Sequence, residues 1–297
     1  MPRTCIRSLR LTVSVLFLLS LQGTAFSRGR VPVRAVTVTT LNIKYFGLNG
    51  DPNSTVPESR SATIKAHLTR EQLFTDVMVF EEIVDVEMLK TEIVGAGYRC
   101  HSYDHPNPTH QHVVICAKAA FTLEQAHDDD NFILEDVTLG EDRYRPAVHG
   151  VLKDGRGRPL LHIFGVHLKA YPQFSNIRLQ QADVVAEYMD QRVEAAPIMI
   201  LGDFNTYTDD VAHLTARFGQ VEDGLAQVNV PGQFTWRSGS SGSKLDHIWL
   251  SRSAVASRTR IAGPCNSTDR AAIDLYNQQV SDHCPVTMTV TPAQSTR

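Results

Sequence analysis

Short apolar runs that each stop against a cluster of charged or amide residues constrain this chain most. Val33 to Ile43 alternates β-branched residues and ends in Leu41-Asn42-Ile43. Asp76 to Phe80 reads as a short buried strand ending in Glu81-Glu82-Ile83. A hairpin around Asp154-Gly155-Arg156-Gly157 begins at Arg143-Tyr144-Arg145-Pro146 and ends at Gly165-Val166-His167-Leu168-Lys169. Ile198 to Leu201 runs into Gly202-Asp203-Phe204-Asn205. Lys244-Leu245-Asp246-His247 and Ser281-Asp282-His283-Cys284-Pro285 complete the set. Charged groups set directly against apolar strands are costly unless paired, metal-bound or solvated. One converging site accounts for all of these boundaries better than scattered decoration of a surface.

Helices lie between the strands. Ser61 to Phe74 forms a modest one, and Val86, Leu89 and Ile93 recur at helical spacing before Gly95 and Gly97 end the segment. Val184, Val185, Tyr188 and Met189 mark a long amphipathic helix from Phe174 to Val193. Further strands are expected at Tyr98–Tyr103, His112–Lys118, Phe234–Arg237, Leu245–Leu250 and Val286–Val290, whereas Ala126 to Asp142 is acidic and irregular. Strands and helices interleaved in this way suggest two sheets packed face to face with helices outside.

The amino terminus is a different matter. Arg3, Arg7 and Arg10 precede an apolar stretch, Leu11 to Leu21, that is too short to span a bilayer, and small residues follow. Residues 1–27 are therefore expected to be a secretory signal peptide, and residues 28–297 one domain. A secreted protein, extracellular or periplasmic, is the expectation. Cleavage removes three arginines and no acid, so 26 basic face 32 acidic residues and the net charge falls from -3 to -6. No global basic field is then left for a polyanion, which would have to be held by a local patch. Cys100, Cys116, Cys265 and Cys284 remain, and three pairings are open to them. Local bonds, 100 with 116 and 265 with 284, are favoured over four buried thiols.

The strand-end residues, in this order and ending in Ser-Asp-His-x-Pro, resemble the endonuclease/exonuclease/phosphatase superfamily, the fold of pancreatic-type deoxyribonuclease. The resemblance runs from Val36 to Val290. It implies an α/β (α+β) four-layered sandwich of two mixed β-sheets flanked by helices, and hydrolysis of phosphoric esters with a divalent metal. That metal would be Mg2+, with Mn2+ or Ca2+ as alternatives. By the resemblance Glu82, Asn42 and Asp282 belong to the metal site, with Glu81 standing where the family carries glutamine. Asp203 would orient or deprotonate the attacking water, Asn205 would hold the phosphate, and His167 would protonate or stabilise the leaving side. Asp246 would stand behind His283. Arg145, and after it Lys169, would bind substrate phosphate. The residue types agree with the chemistry: the acids and amides offer oxygen to a hard cation, and a histidine held by a carboxylate suits proton transfer. Val84 and Asp85 replace the arginine that follows the family's glutamate in deoxyribonuclease, which argues against binding in a duplex groove.

Phe234-Thr235-Trp236-Arg237, the Gly/Ser loop after it and His167-Leu168-Lys169 further resemble secreted bacterial nucleases of this superfamily. A nuclease acting on DNA or RNA, monomeric and without stable membrane association, is the first expectation. A sphingomyelinase-like lipid phosphodiesterase or a phosphatase is the alternative, and a non-catalytic binding module a third. The two tryptophans lie inside apparent strands and no adjacent aromatic pair is present to enter a membrane. His101, His105, His110 and His112 read as a solvated loop at the site mouth, and His247 as structural or at the rim. Lys153, Arg156, Arg158, Lys169 and Arg178 read either as a phosphate-tracking patch or as ordinary surface charge. Asn53 and Asn266 head glycosylation sequons that would matter only in a eukaryotic host.

Overall fold

The computed structural model describes residues 34–48, 60–102, 110–125, 133–141, 144–192 and 196–292. The expected signal peptide at 1–27, the Asn53 sequon, His105, the acidic stretch at 128–130 and Arg143 lie outside the described residues. Residues 33–297 form one compact unit. In chain order the strands are β1 (Val36–Phe46), β2 (Val77–Ile83), β3 (Tyr98–Ser102), β4 (His112–Lys118), β5 (Thr122–Gln125), β6 (Ile133–Leu134), β7 (Ala147–Lys153) and β8 (Pro159–His167). They continue with β9 (Ile198–Asp203), β10 (Leu225–Gln227), β11 (Trp236–Ser238), β12 (Ser241–Ser243), β13 (Asp246–Ser251), β14 (Ala254–Ile261) and β15 (Val286–Pro292). The helices are α1 (Arg60–Arg70), α2 (Val86–Met88), which passes into a π-helical segment Leu89–Val94, α3 (Ser175–Arg192), α4 (Thr208–Phe218) and α5 (Arg270–Gln279).

Two mixed sheets result. One has the order β14-β15-β1-β2-β4-β3, and the other β10-β13-β9-β8-β7-β5 with β6 also on β7. Each contains one parallel pair, β1 with β2 and β8 with β9, among antiparallel neighbours. Alternation explains the layering. Val36, Val38, Val77 and Val79 of one sheet meet Leu161, Ile163, Met199 and Leu201 of the other in a buried hydrophobic core. The residues between them on each strand point outward. Leu41, Met78 and Phe80 take Ile64 and Leu68 of α1 and Ile93 of the π-segment; Phe164, Val166 and Ile200 take Ala182, Val185 and Met189 of α3 and Leu214 and Phe218 of α4. The four-layered sandwich expected from the sequence is the observed fold.

Both expected disulfides are present, Cys100–Cys116 between register partners on β3 and β4, and Cys265–Cys284 ahead of β15. Among the described residues no helix is long and apolar enough to cross a membrane. Two readings of the sequence need correction. His110 and His112 are buried, with His112 Nδ1 2.8 Å from the Ile83 carbonyl, and do not form a solvated loop. Arg178 is fully buried, so it belongs neither to a surface patch nor to ordinary surface charge. The Asn266 amide accepts from the Gln233 and Phe234 backbones and donates to the Phe234 carbonyl.

Candidate active site

Strand direction brings the polar clusters to one edge. β1, β2, β8 and β9 carry Asn42, Glu82, His167 and Asp203 in their C-terminal halves there. β13 and β15 run antiparallel to β9 and β1, so Asp246 at the start of β13 and His283 just before β15 reach the same edge. Asp203 is a register partner of both His167 and Asp246. Gly202 is required beside it: φ is +135°, and a Cβ would lie 2.1 Å from the Val166 carbonyl oxygen and 2.9 Å from Glu81 Oε1.

The two adjacent glutamates part at a bulge. Glu82 has φ +58°, and the register of β2 shifts against both β1 and β4 around it. Its carboxylate accepts from the Asn42 amide at 2.9 Å, from Gln111 Nε2 at 2.9 Å and from the Tyr45 backbone at 3.2 Å. Glu81 points inward with no exposure and accepts from the Thr40 hydroxyl at 2.7 Å. Burial first, then the Asp246 and Asp203 charges, hold its carboxyl well above the usual glutamate range. A neutral carboxylic acid has nearly the shape of glutamine, which explains how an acid occupies a place where the family carries an amide. An unfolded Glu81 ionises near 4.5, whereas the folded one keeps its proton to higher pH. Folding then takes up a proton, and this position loses stability as pH rises above 4.5. Metal-free Glu81→Gln protein should melt a few degrees above wild type at pH 7, with the difference vanishing at acid pH; thermal scans across that range check it.

Around Asp203 the groups close up. The Asn42 amide donates to Asp203 Oδ2 at 3.0 Å, His167 Nε2 lies 3.5 Å from that oxygen and His283 Nε2 3.7 Å from it. His167 Nε2 is also 3.9 Å from Glu82 Oε1. His283 Nδ1 binds Asp246 at 2.9 Å. The Asp246 and Leu245 amides both donate to the buried Thr235 hydroxyl, and Ser281 Oγ ties the Asn42 carbonyl to the His283 amide. Burial raises Asp203 to about 7, against the pull of His283. Burial alone would lower His283, but Asp246 and Asp203 raise it well above the ordinary histidine value. His167 is held well below it, by burial and then by Arg145, His283 and Lys169. One histidine is therefore an imidazolium at neutral pH and the other is neutral.

Not every expected site residue joins this cluster. Asp282 Oδ2 is bound by Lys44 at 3.3 Å and by the Trp236 indole at 3.2 Å. Lys169 lies over the Phe174 ring at 4.2 Å and the Tyr171 ring at 5.3 Å. Arg145 Nη2 and Asn205 Nδ2 converge on one acceptor, the Leu168 carbonyl, at 3.3 and 3.1 Å. Arg145 Nε and His167 Nδ1 are buried without a partner among the described residues. His247 is structural, buried beside Gln227 Nε2 at 3.0 Å and the Phe204 and Trp249 rings. Gln111 and Lys44 were not legible as site residues, because nothing in their sequence neighbourhoods marks them.

The residues fit a hard divalent cation. One ligand atom each from Glu82, His167 and Asp203 lies within 4.8 Å of the others. The carboxylates supply the oxygen such an ion prefers, and the upward push on Asp203 is the mark of buried negative charge that a cation would relieve.

The family model described as Endonuclease/Exonuclease/phosphatase family matches residues 39–283. The chain belongs to this family. It is a phosphoesterase of that family, whose members typically use a divalent metal. No curated protein matches its sequence significantly. Solved structures give the fold. A humanized D. rerio TDP2 with 14 mutations has TM-score 0.64 and 16% identity, covering 86% of this chain and 98% of its own. The Bacteroides thetaiotaomicron mannosyl-6-phosphatase Bt3783 has TM-score 0.62 and 18% identity, covering 86% and 99%. The human Nocturnin catalytic domain with bound sulfate has TM-score 0.60 and 16% identity, covering 89% and 97%.

Proposed function

We propose that this phosphoesterase is a secreted nuclease that hydrolyses phosphodiester bonds of DNA or RNA by water attack. The observation that carries the reading is the seat beside the acids. Arg145 and Asn205 share the Leu168 carbonyl next to Asp203 and His167, and Arg145 keeps a buried, unpartnered Nε. A guanidinium with donors to spare suits a phosphate. The similar D. rerio TDP2 has also been solved with a single-strand DNA product, which agrees with the reading. The two disulfides, and the signal peptide expected from the sequence, agree with an oxidising compartment.

Roles follow from the charges. Glu82 and Asp203 would hold the cation, with the Asn42 amide fixing both carboxylates and Asp282 at the rim. When bound, the cation neutralises charge on the transferred phosphoryl group. Asp203, whose Oδ2 faces both histidines, can orient the attacking water or take its proton. His283, already protonated and held through Nδ1 by Asp246, can give a proton from Nε2 to the leaving oxygen. His167, neutral, donates or accepts a hydrogen bond without adding charge. Asn205 and Arg145 hold the phosphate, with Lys169 beyond them.

Arg145→Ala tests the substrate class. Losing one charged phosphate contact should lower kcat/KM on an oligonucleotide about ten- to a hundredfold. Rising salt should slow the wild type more than the variant. Sphingomyelin vesicles and a sugar phosphate run in parallel separate the readings: hydrolysis of either, with DNA and RNA left intact, contradicts the nuclease.

A further inference from the structure

We propose that Tyr171 and Tyr207 form a stacking platform for an unpaired nucleobase next to the scissile phosphate; the proposal rests on the nuclease reading above. Among the described residues, three tyrosines stand out as exposed large side chains, Tyr45 at 39%, Tyr171 at 62% and Tyr207 at 37%. Each follows a site residue by two to four positions: Asn42, His167 and Asn205 respectively. Phosphate hydrolysis has no use for exposed aromatic rings. A substrate with aromatic faces next to its phosphate does.

Two of these tyrosines are built onto one buried arginine. Arg178 has no exposure. Its Nε and Nη2 donate to Asp210 at 3.0 and 2.7 Å, and its Nη1 donates to the Lys169 and Tyr171 carbonyls at 3.0 and 2.6 Å. Its guanidinium carbon lies 5.3 Å from the centre of the Tyr207 ring. Asp210 in turn accepts from the Tyr207 backbone at 3.1 Å and from the Ser175 hydroxyl. Burying an ion pair is expensive, and this one spends its donors on fixing two loops.

The stretch from His167 to Tyr171 is tied at nearly every step. The Leu168 amide donates to the Asp203 carbonyl, and its own carbonyl accepts from Arg145 and Asn205. The Lys169 amide donates to Gln181 at 2.9 Å. The Tyr171 ring is thus presented by a rigid loop anchored on the reacting groups, and a rigid surface loses little entropy on binding. The Lys169 ammonium, over the Tyr171 and Phe174 rings, sets a cation where a neighbouring backbone phosphate would run. Aromatic faces beside a backbone-tracking cation are what single-strand binders use. A paired base offers no face to such a platform.

The test uses 2-aminopurine in a single-stranded oligonucleotide, titrated into Glu82→Gln protein so that binding proceeds without cutting. Stacking should quench the fluorescence. Tyr171→Ala or Tyr207→Ala should abolish the quenching and weaken binding about five- to a hundredfold, on the ~1–3 kcal/mol that one base stack contributes. Tyr171→Phe keeps the ring and should keep the quenching, which separates stacking from a folding defect. The same label paired in a duplex should stay bright. Unchanged quenching and affinity in both alanine variants, with wild type still cutting nucleic acid, overturns the platform and leaves the nuclease standing. Wild type that neither binds nor cuts single strands overturns both.

Discussion

Glu82→Gln protein should fold and be nearly inactive, with kcat/KM on a phosphodiester down by two to four orders of magnitude, and Asp203→Asn should do the same. Glu81→Gln, one residue away, should stay within a fewfold of wild type. The contrast comes from the bulge. At φ +58° the chain turns Glu82 to the site edge, where the Asn42 amide joins it to Asp203. Glu81 stays inside, bound to Thr40. Glutamine at 82 keeps the shape but removes the charge that a cation needs, and asparagine at 203 removes the acceptor for the water's proton. Glutamine at 81 replaces an already neutral group. Steady-state kinetics with melting curves on the three proteins checks this. An active Glu82→Gln beside a dead Glu81→Gln would reverse the assignment of the two acids.

Replacing both Cys265 and Cys284 by alanine should cost about 3 kcal/mol of stability, the chain-entropy value for a closed loop of this length. For a domain of this size that is a fall in Tm of roughly 6–12 °C. The bond spans 19 positions, with a Cα–Cα distance of 6.0 Å, and the loop it closes carries α5 and then Asp282 and His283. Both cysteines are buried, and the Cys284 amide donates to the Thr235 carbonyl at 2.7 Å, beside the hydroxyl that positions Asp246. Loosening this loop should therefore lower kcat as well. Removing Cys100–Cys116 opens a loop of similar length, 16 positions, and should cost similar stability. Its strands remain hydrogen-bonded in register, so kcat should hold. Equal kcat in both double variants would show that the 265–284 bond does not hold the site in place.

Most of the site was legible because charge at the end of an apolar strand is expensive anywhere else. Asn42, Glu82, His167 and Asp203 could be picked out on that ground, and the long helix over the second sheet by its apolar spacing. What escaped depends on partners distant in sequence. Asp246 and His283 were picked out too, but not the antiparallel pairing of β13 with β9 and of β15 with β1 that brings them to the site edge. β14 is an exposed edge strand with polar residues on its open face, so it carries no apolar run to find. Neither α4 nor α5 was anticipated: α4 starts three residues after Asn205, and α5 lies between Cys265 and Cys284. Leu89 and Ile93, four apart, suit an α-helix and the observed π-segment equally. Arg178 looked like surface charge because nothing local reveals that Asp210, 32 residues on, is waiting for it.

Metal dependence on nucleic acid is the most direct measurement of the whole account. Protein lacking residues 1–27 should be incubated with magnesium or with a chelator on single-stranded DNA and RNA, alongside its Asp203→Asn variant. The expected result is cleavage with magnesium, none with the chelator, recovery when magnesium is restored, and almost none with Asp203→Asn at any metal concentration. Cleavage that persists in the chelator, or nucleic acid left intact by protein that readily hydrolyses sphingomyelin or a sugar phosphate, would contradict it.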